Sequence, residues 1–600
     1  MKLVRRSFVP RRIAAMLVAC FCLPALATPP LATLVFRDGG QPVLTITDPH
    51  GLALVDETLG LRTMEADLTH GLRLVGTTQR QLTERYRMTV GKRLDRHANL
   101  SETRYALQNG KGQKLDVVVR VANDGVAFRY ELPGTAQATV TGEATAFAVP
   151  PAARAWLLPY NPQYEKERIE TSAGSAAPGD YGYPSLFQVG DNYVLVTEAN
   201  ADGRYDGSRL THAANSGTYA LTLADARVES TGVTPWRTVI AGDLATVTES
   251  TLVDDLADPA RFADTSWIRP GKVAWSWLSE HDSPSNAERQ KAYVDFAARN
   301  RIPYVLVDEG WNESWVPGLV RYANAKHVDI LLWFHWSKLD TPAKRMAELA
   351  RVKGWGVKGV KIDFMESDSQ ARYRWYDDTL ADTAKLHLMV NFHGATIPHG
   401  LARTWPHLMT MEGVRGAEND PPAAGNTIQP YTRNVVGSMD YTPVAFDAGR
   451  KEASIAHELA LPIVFESGWT HLADMPEAYE RRPQALAFLD QVPTAWDETK
   501  LLGGTPGRDA IFARRSGDRW FIGAISAGPA RRLSVPLASL GVGPWHADIV
   551  RDGVGRGDVV RSAQNITADG ALSFEVSVNG GFAAILCPLA KGQFASGCYR

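Results

Sequence analysis

Gly356-Val357-Lys358-Gly359-Val360-Lys361-Ile362-Asp363-Phe364 is the stretch whose reading decides the fold. Val357, Val360 and Ile362 form a short apolar run of the kind that makes a buried strand. The run ends on a carboxylate, Asp363, and then turns polar through Glu366, Ser367 and Asp368. The C-terminal ends of strands carry the chemistry of a parallel barrel, so Asp363 is a candidate catalytic group. Alone, the same Asp could equally cap the next helix or close a turn.

It is not alone, because the chain on both sides alternates strand with helix. Val273–Trp277, Tyr304–Val307 and Ile330–Phe334 precede it as strands. Leu388–Phe392, Leu408–Met411, Val435–Met439 and Leu461–Phe465 follow. Helical spacing marks 286–300, and Thr341 is placed to cap a helix running to Val352. Eight parallel strands with intervening helices read as a (β/α)8 TIM barrel over about 270–503. Residues 28–269 are instead rich in short strands, such as 42–47, 115–121 and 193–197, separated by Gly, Asn and Asp turns. They read as a large antiparallel sandwich. An aromatic group there, Trp156, Tyr160, Tyr164, Tyr181 and Tyr183, is a candidate sugar-lining surface or edge packing. Residues 504–600 read as a smaller all-β domain, with strands at 510–514, 520–525 and 582–586.

A chain of 600 residues is too long for one core, which fits this three-part division. The net charge of −2 gives no argument for nucleic acid or an anionic membrane as a partner. Residues 1–27 read as a secretory signal: a basic start, an apolar stretch from Ile13 to Leu26, and a cleavage site at Ala25-Leu26-Ala27. A lipobox-like Leu17-Val18-Ala19-Cys20 offers lipoprotein processing at Cys20 as the alternative. No later stretch is long and apolar enough for a transmembrane anchor. The expected location is the periplasm or the medium. Cleavage after Ala27 leaves Cys587 and Cys598, which an oxidising compartment would join as a disulfide.

The barrel strand ends share one character. They carry Trp275, Trp277, Asp308, Glu309, Trp333, His335, Asp363, Asn391, His393, Glu412, Asp440 and Glu466. Aromatic faces stack on sugar C–H surfaces and carboxylates accept sugar hydroxyls. A carboxylate pair supplies the acid, base or nucleophile for glycoside cleavage. Each residue alone could be a strand-end cap or a salt-bridge partner.

Val360-Lys361-Ile362-Asp363-Phe364, Asn391-Phe392-His393-Gly394, the run 400–408 and Glu412-Gly413-Val414-Arg415-Gly416-Ala417-Glu418 together resemble glycoside hydrolase family 97. So does Tyr304-Val305-Leu306-Val307-Asp308-Glu309-Gly310-Trp311. The resemblance implies an exo-acting α-glycosidase with an N-terminal β super-sandwich, a catalytic barrel and a C-terminal β-sandwich. In the family's inverting α-glucosidase branch a Glu follows the fifth-strand His, and the fourth strand lacks this Asp. Gly394 and Asp363 resemble the retaining branch, whose members include α-galactosidases. By position Asp363 is then the nucleophile and Glu418 the general acid/base. The resemblance also implies Ca2+, with Glu198, Glu412, Glu418 and Asn391 as candidate ligands. Trp275, Asp308, Glu309, Trp333, His335, Lys361 and His393 are the candidate substrate-binding residues for an oligosaccharide or glycoside. The open alternatives are an inverting α-glucosidase, a β-L-arabinopyranosidase and a non-catalytic carbohydrate-binding protein.

Overall fold

The computed structural model describes residues 29–449, 452–555, 557–589 and 598. The expected signal, its cleavage site and Cys20 lie outside these residues. Among the described residues no helix is long and apolar enough to cross a membrane.

The N-terminal region is a sandwich built from a fifteen-stranded and a four-stranded antiparallel sheet. The expected strands are present as Gln41–Thr47, Lys114–Ala122 and Asn192–Ala199. A long hairpin, Leu72–Arg87 with Asp95–Asn109, reaches toward the barrel. There Arg403 binds Glu84, and Arg96 binds Asp254. Trp156, Tyr181 and Tyr183 are buried in sandwich strands, so they pack the core instead of lining a sugar site.

The central region holds seven parallel strands. In chain order they are Gly271–Trp275, Tyr304–Val307, Asp329–His335, Gly359–Asp363, Met389–Phe392, Leu408–Met411 and Trp469–Leu472. The last pairs with the first, which nearly closes the sheet. The helices between them end as their sequences dictate. Asn286 accepts from the amides of Glu288 and Arg289 to start Ala287–Arg299. Thr341 caps Pro342–Trp355, which Gly356 ends at φ 100°.

Two expected strands differ. Over Val435–Met439 only Met439 pairs, as a one-residue parallel bridge to Met411. Arg433–Val436 is a 3-10 turn. The buried Arg433 guanidinium donates to the carbonyls of Met411, Glu412, Gly413, Gly437 and Ser438, and so takes up acceptors that a longer ladder would have used. Leu461–Phe465 falls on a helix, Ile455–Val464, capped by Ser454. Every residue of that helix is buried. The C-terminal sheet packs so closely on it that a Cβ at Gly523 would lie 2.8 Å from the Ala460 carbonyl oxygen. A helix buried on all sides has no polar face, so its sequence reads like a buried strand. The true closing strand is Trp469–Leu472.

The C-terminal region has a six-stranded sheet starting at Glu498–Thr505 and a two-stranded sheet. Cys587 and Cys598 form a disulfide with Cα atoms 5.7 Å apart.

One buried group in the sandwich gives a pH signature. Glu57 is 1% exposed, and both its carboxyl oxygens lack a hydrogen-bond partner among the described residues. Burial, with the Asp56 charge adding to it, pushes this carboxyl well above its usual range. A raised folded-state pKa supports folding below the unfolded value of about 4.3 and withdraws that support as pH rises. Glu57→Gln cannot ionise. Between about pH 5 and about pH 8 its Tm is expected to fall less than the parent's in calorimetry. Parallel Tm curves would show that Glu57 does not titrate with unfolding.

Candidate active site

Parallel pairing sets Trp333 beside Lys361 and Lys361 beside Asn391, with His335 beside Asp363 one step further along. Side chains alternate along a strand, so Lys361 and Asp363 share a face, with Lys361 one layer beneath. Lys361 Nζ donates to Asp308 Oδ2 at 3.0 Å, and Trp275 Nε1 donates to the same oxygen at 2.6 Å. Burial works against the Lys361 charge. Asp308, Glu418, Asp363 and Asp440 outweigh it and hold the ammonium above its ordinary pKa.

Asp363 is oriented by two N–H groups. Phe364 N donates to Oδ1 at 2.7 Å and Trp333 Nε1 to Oδ2 at 3.0 Å. Trp333 is fixed in turn by Trp311, whose Nε1 donates to the Trp333 carbonyl at 2.7 Å. Phe364 has a φ of 66° and is 42% exposed, and its ring stacks on His335 with centroids 5.3 Å apart. Beside Trp333 opens a cavity of about 600 Å3, lined also by Glu309, Trp311, His335 and the Glu348–Arg351 ion pair.

Opposite lies a carboxylate cluster organised by one imidazole. His393 Nε2 and Asp440 Oδ2 are 2.7 Å apart, and His471 Nδ1 meets Asp440 Oδ1 at 3.0 Å. Burial alone would raise the Asp440 carboxyl, but His471 and His393 outweigh it and hold Asp440 well below the carboxylate range. Burial and the Lys361 charge lower the His393 pKa, which favours its neutral form. With Nε2–H donated to Asp440, the lone pair on His393 Nδ1 faces Glu412 Oε2 at 3.3 Å and Glu418 Oε1 at 3.9 Å. Ligand atoms of His393, Glu412 and Glu418 all lie within 4.8 Å of one another. Burial pushes Glu418 up to about 8; Lys361 opposes this, while Asp308, Asp363 and Asp440 add to it. Glu412 is pushed well above its usual range by burial and by Glu165, Glu418 and Asp363. One oxygen of Glu418 is buried without a hydrogen-bond partner. The arrangement thus pairs an oriented carboxylate with a protonated carboxyl, as general acid chemistry beside a nucleophile requires.

The N-terminal domain contributes Glu165, which sequence reasoning missed. Glu165 lies close to Glu412 and Asn419; burial, with Asp363 adding to it, pushes its carboxyl up to about 7 against the lowering effect of those two side chains. Glu198 is not brought to this cluster. It is buried against Arg237 at 2.6 Å and Ser208 at 2.7 Å, with His399 Nδ1 3.7 Å away. Its strand, Asn192–Ala199, is buried almost throughout, so the side chain points into the sandwich. Asn391 donates Nδ2 to Asp440 at 2.7 Å, and its Oδ1 has no hydrogen-bond partner. A polar loop carrying Tyr164-Glu165-Lys166-Glu167 offers no pattern that singles out one acid. His471 has no strand-end signal in the sequence, because the expected eighth strand falls on the helix before the true closing strand.

Comparison with known proteins adds to this geometry. Residues 32–259 match the family profile described as Glycosyl-hydrolase 97 N-terminal, and residues 267–414 match Glycoside hydrolase 97. Residues 495–587 match Glycosyl-hydrolase 97 C-terminal, oligomerisation. A protein of Streptomyces bingchenggensis named probable retaining alpha-galactosidase is 46% identical over 588 residues, covering 94% of this chain and 90% of its own. A retaining alpha-galactosidase of Bacteroides thetaiotaomicron is 34% identical over 60% of each chain. Among solved structures, a beta-arabinopyranosidase superposes with a TM-score of 0.87 at 28% identity, covering 93% of this chain and 98% of its own. A family 97 enzyme of Pseudoalteromonas sp. strain K8, in complex with acarbose, shares the fold at a TM-score of 0.87 and 24% identity, with the same coverage. The chain belongs to glycoside hydrolase family 97 and is a glycosidase that resembles its retaining alpha-galactosidases.

Proposed function

We propose that the protein is an exported, exo-acting retaining α-galactosidase, with Asp363 as nucleophile and Glu418 as general acid/base. The observation that carries this reading is the pair itself: Asp363, oriented by Trp333 and Phe364, is near enough for its charge to help raise the Glu418 carboxyl to about 8. In the first step Asp363 attacks the anomeric carbon, and Glu418 gives its proton to the departing glycosidic oxygen. A β-linked galactosyl ester forms and the aglycone leaves. Glu418, now a carboxylate, takes a proton from water as that water attacks the same carbon, and Asp363 is released. Two inversions give net retention. Lys361, Asp308 and Trp275 form a buried hydrogen-bonded layer beneath Asp363, and the cavity beside Trp333 offers aromatic walls and polar side chains for a sugar.

The cluster also supports a bound divalent cation. His393 Nδ1 presents its lone pair with the other ring nitrogen held by a carboxylate, as metal-ligating histidines do. Glu412 and Glu418 lie beside it, Glu165 adjoins Glu412, and Glu418 offers a buried oxygen with no hydrogen-bond partner among the described residues. Glutamate oxygens suit Ca2+. When bound, the ion would neutralise charge and orient carboxylates beside the sugar. Glu165, and not Glu198, would be the ligand from the N-terminal domain. Export is supported by the basic and apolar opening of the sequence.

A second reading is favoured by the likeness to a beta-arabinopyranosidase. β-L-Arabinopyranose has the galactose configuration without C6. Assay of p-nitrophenyl α-galactoside, α-glucoside and β-L-arabinopyranoside is expected to show α-galactoside as the fastest. Preference for the arabinoside would transfer the assignment to that activity.

Two predictions test the roles. Asp363→Ala is expected to lose turnover by several orders of magnitude. Azide then takes the nucleophile's place and gives β-galactosyl azide. In Glu418→Ala azide intercepts the ester from the other face and gives α-galactosyl azide. The opposite anomers in NMR would exchange the two roles. Removal of metal by EDTA is expected to lower activity, and added Ca2+ to restore it. Restoration by Zn2+ alone would assign a transition metal instead. Full activity in the chelated protein would mean that no cation is required.

A further inference from the structure

The cluster contains one member from another domain, so something must hold that domain in register with the nucleophile. Asp368 stands where this can be done. It lies in the loop between the strand ending at Asp363 and the helix Gln370–Lys385, and it is 3% exposed. Its Oδ2 accepts from the hydroxyls of both Tyr160, at 3.0 Å, and Tyr164, at 2.9 Å. Both tyrosines belong to the N-terminal domain and pack edge to face, with centroids 5.9 Å apart. We propose that Asp368 is a positioning residue whose grip on Tyr160 and Tyr164 holds Glu165 against Glu412. The proposal rests on the role given to Glu165 above.

Several features make this contact directional. Tyr164 has a φ of 62°, a left-handed conformation that an aromatic residue adopts only when its surroundings hold it there. The conformation sends the Tyr164 ring to Asp368 while its neighbour Glu165 meets Glu412. The two domains are flush at this point. Gly207 N donates to the Asp368 carbonyl at 2.9 Å, and a Cβ at Gly207 would lie 2.8 Å from Asp368 Cβ. The loop bearing Asp368 is itself pinned, because Glu366 N donates to the Gly394 carbonyl at 2.8 Å. One short loop therefore carries Asp363 at its start and the grip on Glu165 near its end. Behind it Tyr373 reaches His399 at 2.9 Å, and His399 reaches Glu198 at 3.7 Å. Glu198 thus belongs to the buttress of the joint.

A contact that merely joined domains would change stability without touching the chemistry. A double-mutant cycle on p-nitrophenyl α-galactoside separates the two. Asp368→Ala is expected to lower kcat about tenfold or more, in the range of couplings within one network. Asp368→Asn, which keeps an acceptor oxygen, is expected to retain most of the activity. Asp368→Ala added to Glu165→Gln is expected to cost little beyond Glu165→Gln alone. Hydrogen exchange across 160–166 is expected to quicken in Asp368→Ala and to stay near the parent rate in Asp368→Asn. The double variant Tyr160→Phe/Tyr164→Phe keeps the carboxylate and the ring volumes, and is expected to reproduce the loss if Asp368→Ala does not fold. Losses that multiply between positions 368 and 165, or parental kcat in the double Phe variant, would overturn the clamp and leave the role of Glu165 intact. Parental kcat in Glu165→Gln would overturn both.

Discussion

A single buried ammonium organises the catalytic end of this barrel. Lys361 is charged because Asp308, Asp363, Glu418 and Asp440 stand around it, and each comes from a different part of the barrel. Asp308 follows the second strand and Asp363 ends the fourth. Glu418 follows the sixth, and Asp440 lies beside the one-residue bridge between Met439 and that sixth strand. Removing one partner from a buried pair such as Lys361–Asp308 costs about 3–5 kcal/mol. Barrel closure and charge placement therefore depend on each other. One ammonium does not neutralise the surrounding acids. The excess appears at the far side, where Glu418, Glu412 and Glu165 are raised. Such a cluster holds protons or a cation. A general acid and a cation site draw on the same crowding, so Glu418 cannot serve both at full strength in one protonation state.

The parts of the fold legible in the sequence are those whose burial is one-sided or bounded by turns. The first six barrel strands and the capped helices 287–299 and 342–355 announce themselves by period and by Asn286, Thr341 and Gly356. Ile455–Val464 does not, because burial on every side erases the period. The 433–439 segment does not, because one arginine takes the place of a ladder. The site follows the same division. Asp363, His393, Glu412 and Glu418 sit at strand ends or just beyond, and the barrel brings them together. Glu165 arrives by tertiary packing across more than two hundred residues of sequence, with no local signal. Glu198 is implied only by its position in the family resemblance, and its partner Arg237 lies on the neighbouring strand within the sandwich.

Gly394 shows why the two features that distinguish the branches go together. Its φ is 52°, and a Cβ there would lie 2.9 Å from the Phe364 backbone and 3.2 Å from Asp363 Oδ1. Contacts below about 3 Å to backbone cannot be relieved by a rotamer change, and a left-handed φ adds strain for any residue with a side chain. Gly394 N meanwhile donates to Glu412 Oε2 at 2.8 Å, and its carbonyl accepts from Glu366 N at 2.8 Å. The backbone at this position thus joins the loop that follows Asp363 to the carboxylate cluster, at a distance only a residue without Cβ allows. A glutamate here, as in the inverting branch of the family, would require the fourth-strand end to withdraw. That same withdrawal would take a carboxylate at position 363 away from Trp333. The backbone here has room for a carboxylate at the end of the fourth strand or for a glutamate after the fifth-strand histidine, and the missing side chain at 394 leaves room for the first.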